Sequence, residues 1–214
     1  MTGCCAAADQ HFGPARTARE LNAYHRSGPT GPTRLILELL RDANAVADTM
    51  LDVGAGIGVL HHELLSRGVR TAIHVEGAAA YIAAARAEAE RRGHAGRVEF
   101  RHGDVVVLAA DLPPADLVSL DRVICCYPDF AGLLHATTRL ARRYYVLSFP
   151  HDRSYMRAYT AWQNYGRRRA GNPFRTFVHP PKEMRDLIEG AGFRQLGWRR
   201  SLTWAVGLYE RQAA

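Results

Sequence analysis

The sequence predicts an α/β fold in which a mostly parallel sheet, flanked by helices, ends in an antiparallel pair of strands. Short apolar segments alternate with helical segments along most of the 214 residues, as in strands joined by crossover helices. Two strand-like segments at residues 193–198 and 202–209 are joined by a turn too short for a crossover helix, so they must pair antiparallel. With 47% hydrophobic residues this length suits one core, and residues 1–214 are expected to form a single domain.

The individual elements follow from the local pattern. Each strand is a short apolar segment bounded by glycine, proline or polar residues. The predicted strands cover residues 49–53, 71–75, 98–101, 116–120, 144–149, 193–198 and 202–209. Helices are predicted through Leu60 to Leu65, over the alanine-rich residues 78–92, around residues 133–142 and through Leu187 to Gly190. Alanine favours helix strongly, and glycine allows the left-handed cap that ends one. Seven strands with helices on both faces are therefore expected.

Residues 1–32 are expected to form an N-terminal tail and a capping helix. Helices are predicted at residues 15–24 and 34–40, on either side of a Gly-Pro-rich break, where they would cover the mouth of a site. The first residues are small and are expected to be disordered. The start of the chain does not resemble a signal peptide, and no apolar run approaches the ~20 residues of a membrane span. A cytoplasmic protein without a membrane span is therefore expected.

The cysteines and the distribution of charge argue against a disulfide-bonded protein, a zinc protein and a nucleic-acid-binding protein. The four cysteines form two adjacent pairs, Cys4-Cys5 and Cys125-Cys126. Neighbouring cysteines are poorly placed for an unstrained disulfide or for zinc, so reduced thiols and no metal site are expected. The formal charge is +7, and every basic residue except Lys182 is an arginine. Because the arginines are scattered, a solvated surface is favoured over a nucleic-acid-binding stripe.

The first predicted strand leads into the glycine-rich turn LDVGAGIG, residues 51–58. In an open α/β sheet, ligands bind beyond the carboxyl ends of the strands, and the first strand-to-helix turn normally supplies that crevice. Glycine is needed there because a Cβ would hold the ligand away from the backbone. The spacing is GxGxG, followed by Val59, which departs from the GxGxxG of dinucleotide-binding proteins.

Two carboxylates follow at the ends of the next two strands. Glu76 ends the second strand, where it can accept both hydroxyls of a ribose; the alternative is a surface glutamate favoured by a helix dipole. Asp104 follows the third strand, where it can bond to the exocyclic amine of adenine or cap the next helix. Because these groups and the glycine turn fall at successive strand ends, together they predict a nucleoside site.

The glycine turn with Asp52, then Glu76, then Gly103-Asp104, then ADLVSLDRVICCYP resembles the class I S-adenosylmethionine (SAM)-dependent methyltransferases. The similarity covers about residues 33–211. It implies a Rossmann-like fold, SAM as the cofactor and S-adenosylhomocysteine (SAH) as the product. It also implies that the amino-acid end of SAM lies on the glycine turn, its ribose on Glu76 and its adenine on Asp104. The residues that the resemblance assigns to the cofactor are Asp52, Gly54, Ala55, Gly56, Glu76, Gly77, Asp104, Val105, Asp121 and Arg122.

Within that superfamily, the segment DRVICCYP at residues 121–128 is similar to a DxxIHYP-like segment of the magnesium-protoporphyrin O-methyltransferase group. The histidine of that segment is an active-site candidate in the group, and Cys126 takes its place here. We interpret Cys126 as a small apolar filler, as most free cysteines are, with a thiolate beside the cationic cofactor as the alternative.

Methyl transfer from a sulfonium is an in-line displacement, so alignment of the reactants and exclusion of water supply much of the rate. A base is needed only when the nucleophile arrives protonated. The candidate catalytic groups at the expected mouth are Tyr127, Cys126, Tyr24 and His151, with Asp121, Asp152 and His25 as further polar candidates. Each such group is more often structural than catalytic.

Residues 150–178 form a predicted insertion on the substrate side of the sheet. Tyr155, Tyr159 and Trp162 follow i, i+4, i+7 spacing and would share one helix face. Most such stripes pack on a core, but this segment follows the fifth strand. We therefore expect part of it to wall an apolar or aromatic acceptor, with Arg153 and Arg157 available for a carboxylate.

The predicted function is SAM-dependent methyl transfer to a small-molecule acceptor. The alternatives are a catalytically silent SAM-binding protein, an RNA methyltransferase, and a nicotinamide-dependent oxidoreductase on the same type of sheet. The GxGxG spacing and the antiparallel ending disfavour the oxidoreductase. CCYPD at residues 125–129, in place of an (N/D)PP(Y/F) tetrapeptide, disfavours methylation of nucleic-acid or protein amino groups.

Overall fold

The computed structural model describes residues 3–212, with side chains from residue 5 onward. Their strands are β1 Thr49–Val53, β2 Thr71–Glu76, β3 Val98–His102, β4 Ala115–Leu120, β5 Ala141–Pro150, β6 Phe193–Arg200 and β7 Trp204–Arg211. They form one seven-stranded sheet in the order β3-β2-β1-β4-β5-β7-β6. The first five strands are parallel, and β7 pairs antiparallel with both β5 and β6. The predicted fold is confirmed.

The helices between the strands lie close to their predicted positions. They are α1 Gly3–His11, α2 Pro14–Ser27, α3 Gly31–Asp42, α4 Val59–Leu65, α5 Ala79–Arg91, α6 Val105–Leu108, α7 Phe130–Arg139, α8 Ser154–Arg169 and α9 Pro181–Gly190. The helix expected around residues 133–142 begins and ends earlier. Asp129 caps its start by accepting from the Gly132 amide over 2.9 Å, and Ala141 already pairs with Ala115 in the sheet.

Two apolar cores lie on opposite faces of the sheet. Met50 and Leu51 are adjacent in β1 and point to opposite faces, as strand geometry requires. Met50 joins a core with Ile36 of α3, and Leu51 joins a core with Ile188 of α9. Helices therefore cover both faces of the sheet and leave the carboxyl ends of the parallel strands open.

The expectation that the first residues are disordered was wrong. Gly3–His11 form α1, which packs against the end of β2 because small residues allow close approach there. Cys5 is buried, and a Cβ built on Gly77 would lie 3.0 Å from its sulfur. Asp9 accepts from the Ala79 amide over 2.8 Å at the start of α5. The prediction for Cys4 concerns a side chain outside the described residues.

The insertion after β5 is mostly one helix. It contains α8, the longest of the described helices at 16 residues, followed by an extended segment that leads to α9. Among residues 3–212, no helix combines the length and apolar content that crossing a membrane requires.

Candidate active site

A cleft of about 1090 Å³ opens at the carboxyl ends of the parallel strands. The strand order reverses between β1 and β4, and such a switch point is where open α/β sheets bind ligands. All ten residues predicted to hold the cofactor line this cleft, as do Tyr24, Cys126 and Tyr127. The fold therefore gathers these sequence candidates into one site.

The glycine turn exposes bare backbone to the cleft. Gly54 has a φ of +59°, and a Cβ on it would lie 2.5 Å from Cγ2 of Val123, so only glycine fits without displacing that side chain. Gly56 also has a positive φ, +56°, but a Cβ on it would meet no atom within 4 Å. The peptide at Gly56 therefore faces open space that a ligand can fill.

Glu76 lies beside this turn with 7% of its surface exposed. Its Oε2 accepts from the Gly56 amide over 2.9 Å, and its Oε1 accepts from the Ala78 amide over 2.8 Å. Burial raises the pKa of Glu76, although these backbone hydrogen bonds act in the opposite direction. The carboxyl group is thus fixed in position at the edge of the cleft, rather than being a surface glutamate.

Asp52 is fixed more deeply, below the glycine turn. Ser119 donates to its Oδ1 over 2.7 Å, and Nδ1 of His61 forms a 3.0 Å hydrogen bond with its Oδ2. The side chain is 1% exposed. Both oxygens therefore have protein partners, which hold the carboxylate rigidly at the end of β1.

Asp104 caps α6, the alternative that the sequence left open. Its Oδ1 accepts from the Val106 amide over 3.0 Å and also from the Tyr127 hydroxyl over 2.6 Å. Val105 is buried next to it and lines the cleft. Asp104 lines the cleft while it caps α6, so this capping hydrogen bond does not exclude a contact between Asp104 and a ligand.

Asp121 and Arg122 follow β4 at the centre of the cleft. Ser148 of β5 donates to Oδ1 of Asp121 over 2.6 Å, and the Arg122 amide donates to Ser148 over 2.8 Å. The Thr33 hydroxyl of α3 donates to Oδ2 of Asp121. Arg122 has a φ of +63°, which is uncommon for a residue with a side chain. The loop after β4 is therefore held in an unusual conformation by two neighbouring elements.

The structure separates the four catalytic candidates. Tyr127 and Cys126 lie in the loop after β4 and line the cleft. The hydrogen bond with Cys125 and burial raise the pKa of the Cys126 thiol well above its ordinary value, which favours a neutral thiol over a thiolate. Burial and a hydrogen bond to Glu63 raise the pKa of Tyr24, so its phenol is a poor base.

His151 does not line the cleft, contrary to the expectation from its place after β5. β5 stays paired with β7 up to Pro150, and the chain then turns toward the β6–β7 hairpin. There Nε2 of His151 lies 2.9 Å from the Ser201 carbonyl oxygen. The further candidates His25 and Asp152 also lie outside the lining: His25 pairs with Glu88, and Asp152 pairs with Arg157.

The first two helices cover the inner part of the cleft. Tyr24 of α2 packs with Ile57 and Tyr81 in a small apolar cluster, and its hydroxyl donates to Glu63 over 2.7 Å. The Tyr81 hydroxyl donates to Glu20 over 2.7 Å. The position of α2 is consistent with the capping helix expected from the sequence. The hydrogen bonds that hold it, Tyr24 to Glu63 and Tyr81 to Glu20, join residues far apart in the chain.

The sequence analysis missed the extended segment after α8. Phe177 donates its amide to the Cys125 carbonyl over 2.7 Å, and Nε2 of His179 lies 3.0 Å from the carbonyl oxygens of Ile124 and Tyr127. This segment also meets α1, since the ring of His11 stacks on Phe174 at 4.3 Å. The only feature of the sequence that pointed to this segment was His179, a polar residue followed by two prolines. Its hydrogen-bond partners lie more than 50 residues away in the chain.

Helix α8 lines the cleft, and it does so with two of the three aromatic residues expected from the sequence, Tyr155 and Tyr159. The α8 residues that line it are Tyr155, Met156, Tyr159, Thr160, Gln163 and Arg167. Trp162 is 70% exposed and does not line the cleft. Arg153 and Arg157 do not line it either, and Arg157 is engaged by Asp152 through two hydrogen bonds of 2.5 and 2.9 Å. The predictions that Trp162 walls the acceptor site and that Arg153 and Arg157 are available there for a carboxylate were therefore wrong.

Four buried histidines, His61, His62, His74 and His94, lie behind the glycine turn. Nδ1 of His62 is 3.2 Å from Nδ1 of His94, and the rings of His61 and His62 are 4.3 Å apart. Burial lowers the pKa of His62 to about 3 and that of His74 well below its usual range. Within the described residues, no three His, Cys, Asp or Glu side chains are arranged to hold a metal ion.

Comparison with known proteins agrees with this geometry. Residues 50–144 match a family model described as a methyltransferase domain. No curated protein sequence matches the chain significantly. Among solved structures, the chain is similar to magnesium protoporphyrin IX methyltransferase from Synechocystis PCC 6803 with bound SAH. The TM-score is 0.73 at 17% identity, over 97% of this chain and 99% of that one.

Two further solved structures show the same fold. An O-methyltransferase family protein from Burkholderia thailandensis has a TM-score of 0.68 at 16% identity, over 92% of this chain and 60% of that one. A chain from the complex of the Haloferax volcanii Trm112 methyltransferase activator with the putative methyltransferase also has a TM-score of 0.68. Its identity is 15%, over 96% of this chain and 98% of that one.

The reversed strand order, the antiparallel ending and the matched methyltransferase segment define the class I methyltransferase architecture. Residues 50–144 match a methyltransferase domain, and the whole chain has the fold of SAM-dependent methyltransferases. This assignment favours methyl transfer over the nicotinamide-dependent oxidation that the same type of sheet also supports.

Proposed function

We propose that this enzyme transfers the methyl group of SAM to a small acceptor that is apolar or aromatic and bears a carboxylate. The observation that carries the proposal is the single continuous cleft of about 1090 Å³, lined at one end by the glycine turn and at the other by α8. Its volume suits a cofactor and a small molecule side by side, because single ligand sites commonly measure roughly 300–1,000 Å³.

The inner end suits SAM by its chemistry. Asp52, Glu76, Asp104 and Asp121 all line this end, and a cationic sulfonium with an amino group and ribose hydroxyls is complementary to such acceptors. In this proposal the ribose lies on Glu76 and Gly77, the adenine on Asp104 and Val105, and the amino-acid end on residues 54–56. Asp52 lies near the amino group, and the backbone at Asp121 and Arg122 lines the methionine end.

The outer end suits the acceptor. The rings of Tyr155 and Tyr159 line the cleft, as does the loop at Cys126 and Tyr127. The residues of this chain contribute by holding the acceptor in line with the methyl group and by excluding water beneath α1, α2 and α8. Neither Cys126 nor Tyr24 suits the role of base, so the acceptor atom is proposed to arrive as a ready nucleophile.

Titration calorimetry tests the cofactor half of the proposal. The wild type is expected to bind SAM and SAH but not NAD. Glu76→Gln is expected to weaken SAH binding at least about tenfold, since one ionic hydrogen-bond acceptor is lost. Glu90→Gln, an exposed glutamate on α5, is the matched control and should bind SAH like the wild type. Binding of NAD alone would overturn the proposal.

A labelled-methyl assay tests the transfer. Protein, methyl-labelled SAM and a fractionated small-metabolite extract are expected to yield a labelled product of low mass. A protein that binds SAH but labels nothing in any fraction would be a silent SAM-binding protein. We propose that the enzyme acts in the cytoplasm, which agrees with the sulfurs of Cys125 and Cys126 lying 3.7 Å apart without a disulfide between them.

A further inference from the structure

Positive charge accumulates at one corner of the cleft, where α1, α2 and α8 meet. We call this the arginine corner: Arg16 of α2, Arg167 of α8 and His11 of α1, all of which line the cleft. Nη1 of Arg16 lies 2.8 Å from Nε2 of His11, and the His11 ring stacks on Phe174. The guanidinium of Arg167 lies 5.3 Å from the same Phe174 ring. The consecutive helices α1 and α2 and the distant helix α8 therefore contribute to one corner of the cleft.

Arg167 lacks a carboxylate partner among residues 3–212. Its side-chain hydrogen bonds go to neutral groups: to Asn164 over 3.1 Å, Thr176 over 3.0 Å and Gln163 over 3.4 Å. Burial, together with the nearby charges of Arg16 and Arg175, lowers the pKa of Arg167. Its guanidinium is thus half-buried and oriented by neutral acceptors, and an anion placed beside it would relieve this unfavourable environment.

The charges at this corner do not balance within the protein. Arg16 is paired with Glu20 over 3.0 Å, and this carboxylate also accepts from the Tyr81 hydroxyl. Burial, followed by the charges of Arg16 and Arg167, lowers the pKa of His11 to about 4. With Arg16 paired and His11 neutral, Arg167 leaves a net positive charge at this corner of the cleft, whereas Asp52, Glu76, Asp104 and Asp121 line the proposed cofactor end.

We infer that the arginine corner binds the carboxylate of the acceptor, and that Arg167 is the residue that selects for that negative charge. The inference rests on the proposed function and deepens it. Arg167, Tyr159 and Cys126 all line the cleft, so a carboxylate on the Arg167 guanidinium would place the rest of an aromatic acceptor between Tyr159 and the loop after β4. A planar guanidinium matches a carboxylate through two parallel hydrogen bonds.

The competing location for the carboxylate was the pair Arg153 and Arg157. Arg157 already holds Asp152, and neither residue lines the cleft. Arg168 is the natural control, because it is the next residue on α8 and is exposed. These four arginines, in or beside one helix, allow the position of the anion site to be tested by substitution.

The test uses the full chain saturated with SAH, with 1-naphthoate and its neutral amide, 1-naphthamide, as probes in titration calorimetry. The wild type is expected to bind 1-naphthoate at least about tenfold more tightly than 1-naphthamide. Arg167→Gln should remove this preference while SAH affinity stays within about twofold. Arg168→Gln and Arg157→Gln should both keep the preference.

Several outcomes would overturn the inference. Equal affinity of the wild type for the two probes, or no binding of either, would show that the corner does not select a carboxylate. Loss of the preference in Arg157→Gln but not in Arg167→Gln would place the anion elsewhere. A fall in SAH affinity that matches the loss of 1-naphthoate binding would assign Arg167 to the cofactor's own carboxylate. Failure of the wild type to bind SAH would overturn the proposed function and this inference with it.

Discussion

The Tyr127 hydroxyl donates to the Asp104 carboxylate over 2.6 Å, and this bond joins the two ends of the cleft. Asp104 belongs to the nucleoside end, where it caps α6 through the Val106 amide. Tyr127 belongs to the loop after β4, which we propose contacts the acceptor. The position of the loop after β4 is therefore coupled to the Asp104 carboxylate, which is proposed to hold the adenine.

We predict that Tyr127→Phe acts through this coupling and not through loss of a base. Without the hydroxyl, Asp104 keeps its cap but loses one donor, which costs about 1 kcal/mol. SAH affinity should fall by about three- to tenfold, measured by calorimetry, and the methyl-transfer kcat should stay within about tenfold. A general base typically contributes about 10²–10⁴-fold. A fall in kcat of that size with unchanged SAH affinity would make Tyr127 catalytic.

We predict that Tyr24→Phe loosens the helical cover. The Tyr24 hydroxyl is buried between Glu63, to which it donates over 2.7 Å, and Arg92, which donates to it. Removing it should destabilise the protein by about 1–2 kcal/mol and speed amide hydrogen exchange in α2 and release of SAH. Tyr165→Phe, which removes an exposed hydroxyl bonded to Arg169, is the control. Equal exchange in the two variants would contradict a clamping role.

We predict that stability falls as the pH drops below about 6.5. The pKa values of His62, His74 and His94 are lowered in the folded protein, chiefly by burial, whereas in the unfolded chain they return to about 6.5. The unfolded chain therefore takes up protons that the folded protein does not, and each such histidine lowers stability by about 1.4 kcal/mol per pH unit below that value. Urea unfolding between pH 7.5 and 5 measures this slope.

The variant His74→Leu measures the contribution of one histidine to this dependence of stability on pH. Neither ring nitrogen of His74 has a hydrogen-bond partner among the described residues, so leucine should leave stability at pH 7.5 unchanged or raise it. The slope should decrease by one histidine's contribution. His135→Gln, at an exposed position, should leave the slope unchanged. An unaltered slope in His74→Leu would show that this ring is protonated in the folded state.

We predict that Tyr159 and Trp162 differ sharply in their effect on acceptor binding, although the sequence placed them on one stripe. Tyr159 is 50% exposed and lines the cleft, whereas Trp162 is 70% exposed and does not. Tyr159→Ala should weaken binding of 1-naphthoate to the SAH-saturated protein at least about fivefold, because an aromatic contact is lost. Trp162→Ala should bind like the wild type. If both variants bind normally in folded protein, α8 does not wall the acceptor site.

The parts of the site that could be predicted from sequence are those set by local chemistry. The bounds of β1 match residue for residue, and Glu76 and Asp104 lie at the strand ends where they were expected. A glycine at residue 54 is required by its own backbone angle and by the space beside it. Short-range periodicity and the stereochemistry of glycine are sufficient for such statements.

Helix α8 shows where this reasoning stops. Periodicity identified a helix with a stripe of Tyr155, Tyr159 and Trp162, yet a helix has several possible faces, and Trp162 does not line the cleft. The cleft-facing row instead runs through Tyr155, Tyr159, Gln163 and Arg167 at intervals of four residues. Helical periodicity permits both rows equally, and the packing of α8 beside the sheet decides which of them faces the cleft.

The sequence by itself determined the strands, the glycine turn and the carboxylates at successive strand ends, because these depend on residues that are neighbours in the chain. Only the tertiary structure decided that α1 covers the cleft, that residues 174–179 fold back onto the loop after β4, and that Arg16 and Arg167 line the same cleft. These contacts join segments separated by up to 161 residues, as between His11 and Asn172. Their free energy depends on burial and charge in the assembled fold, which no local pattern records.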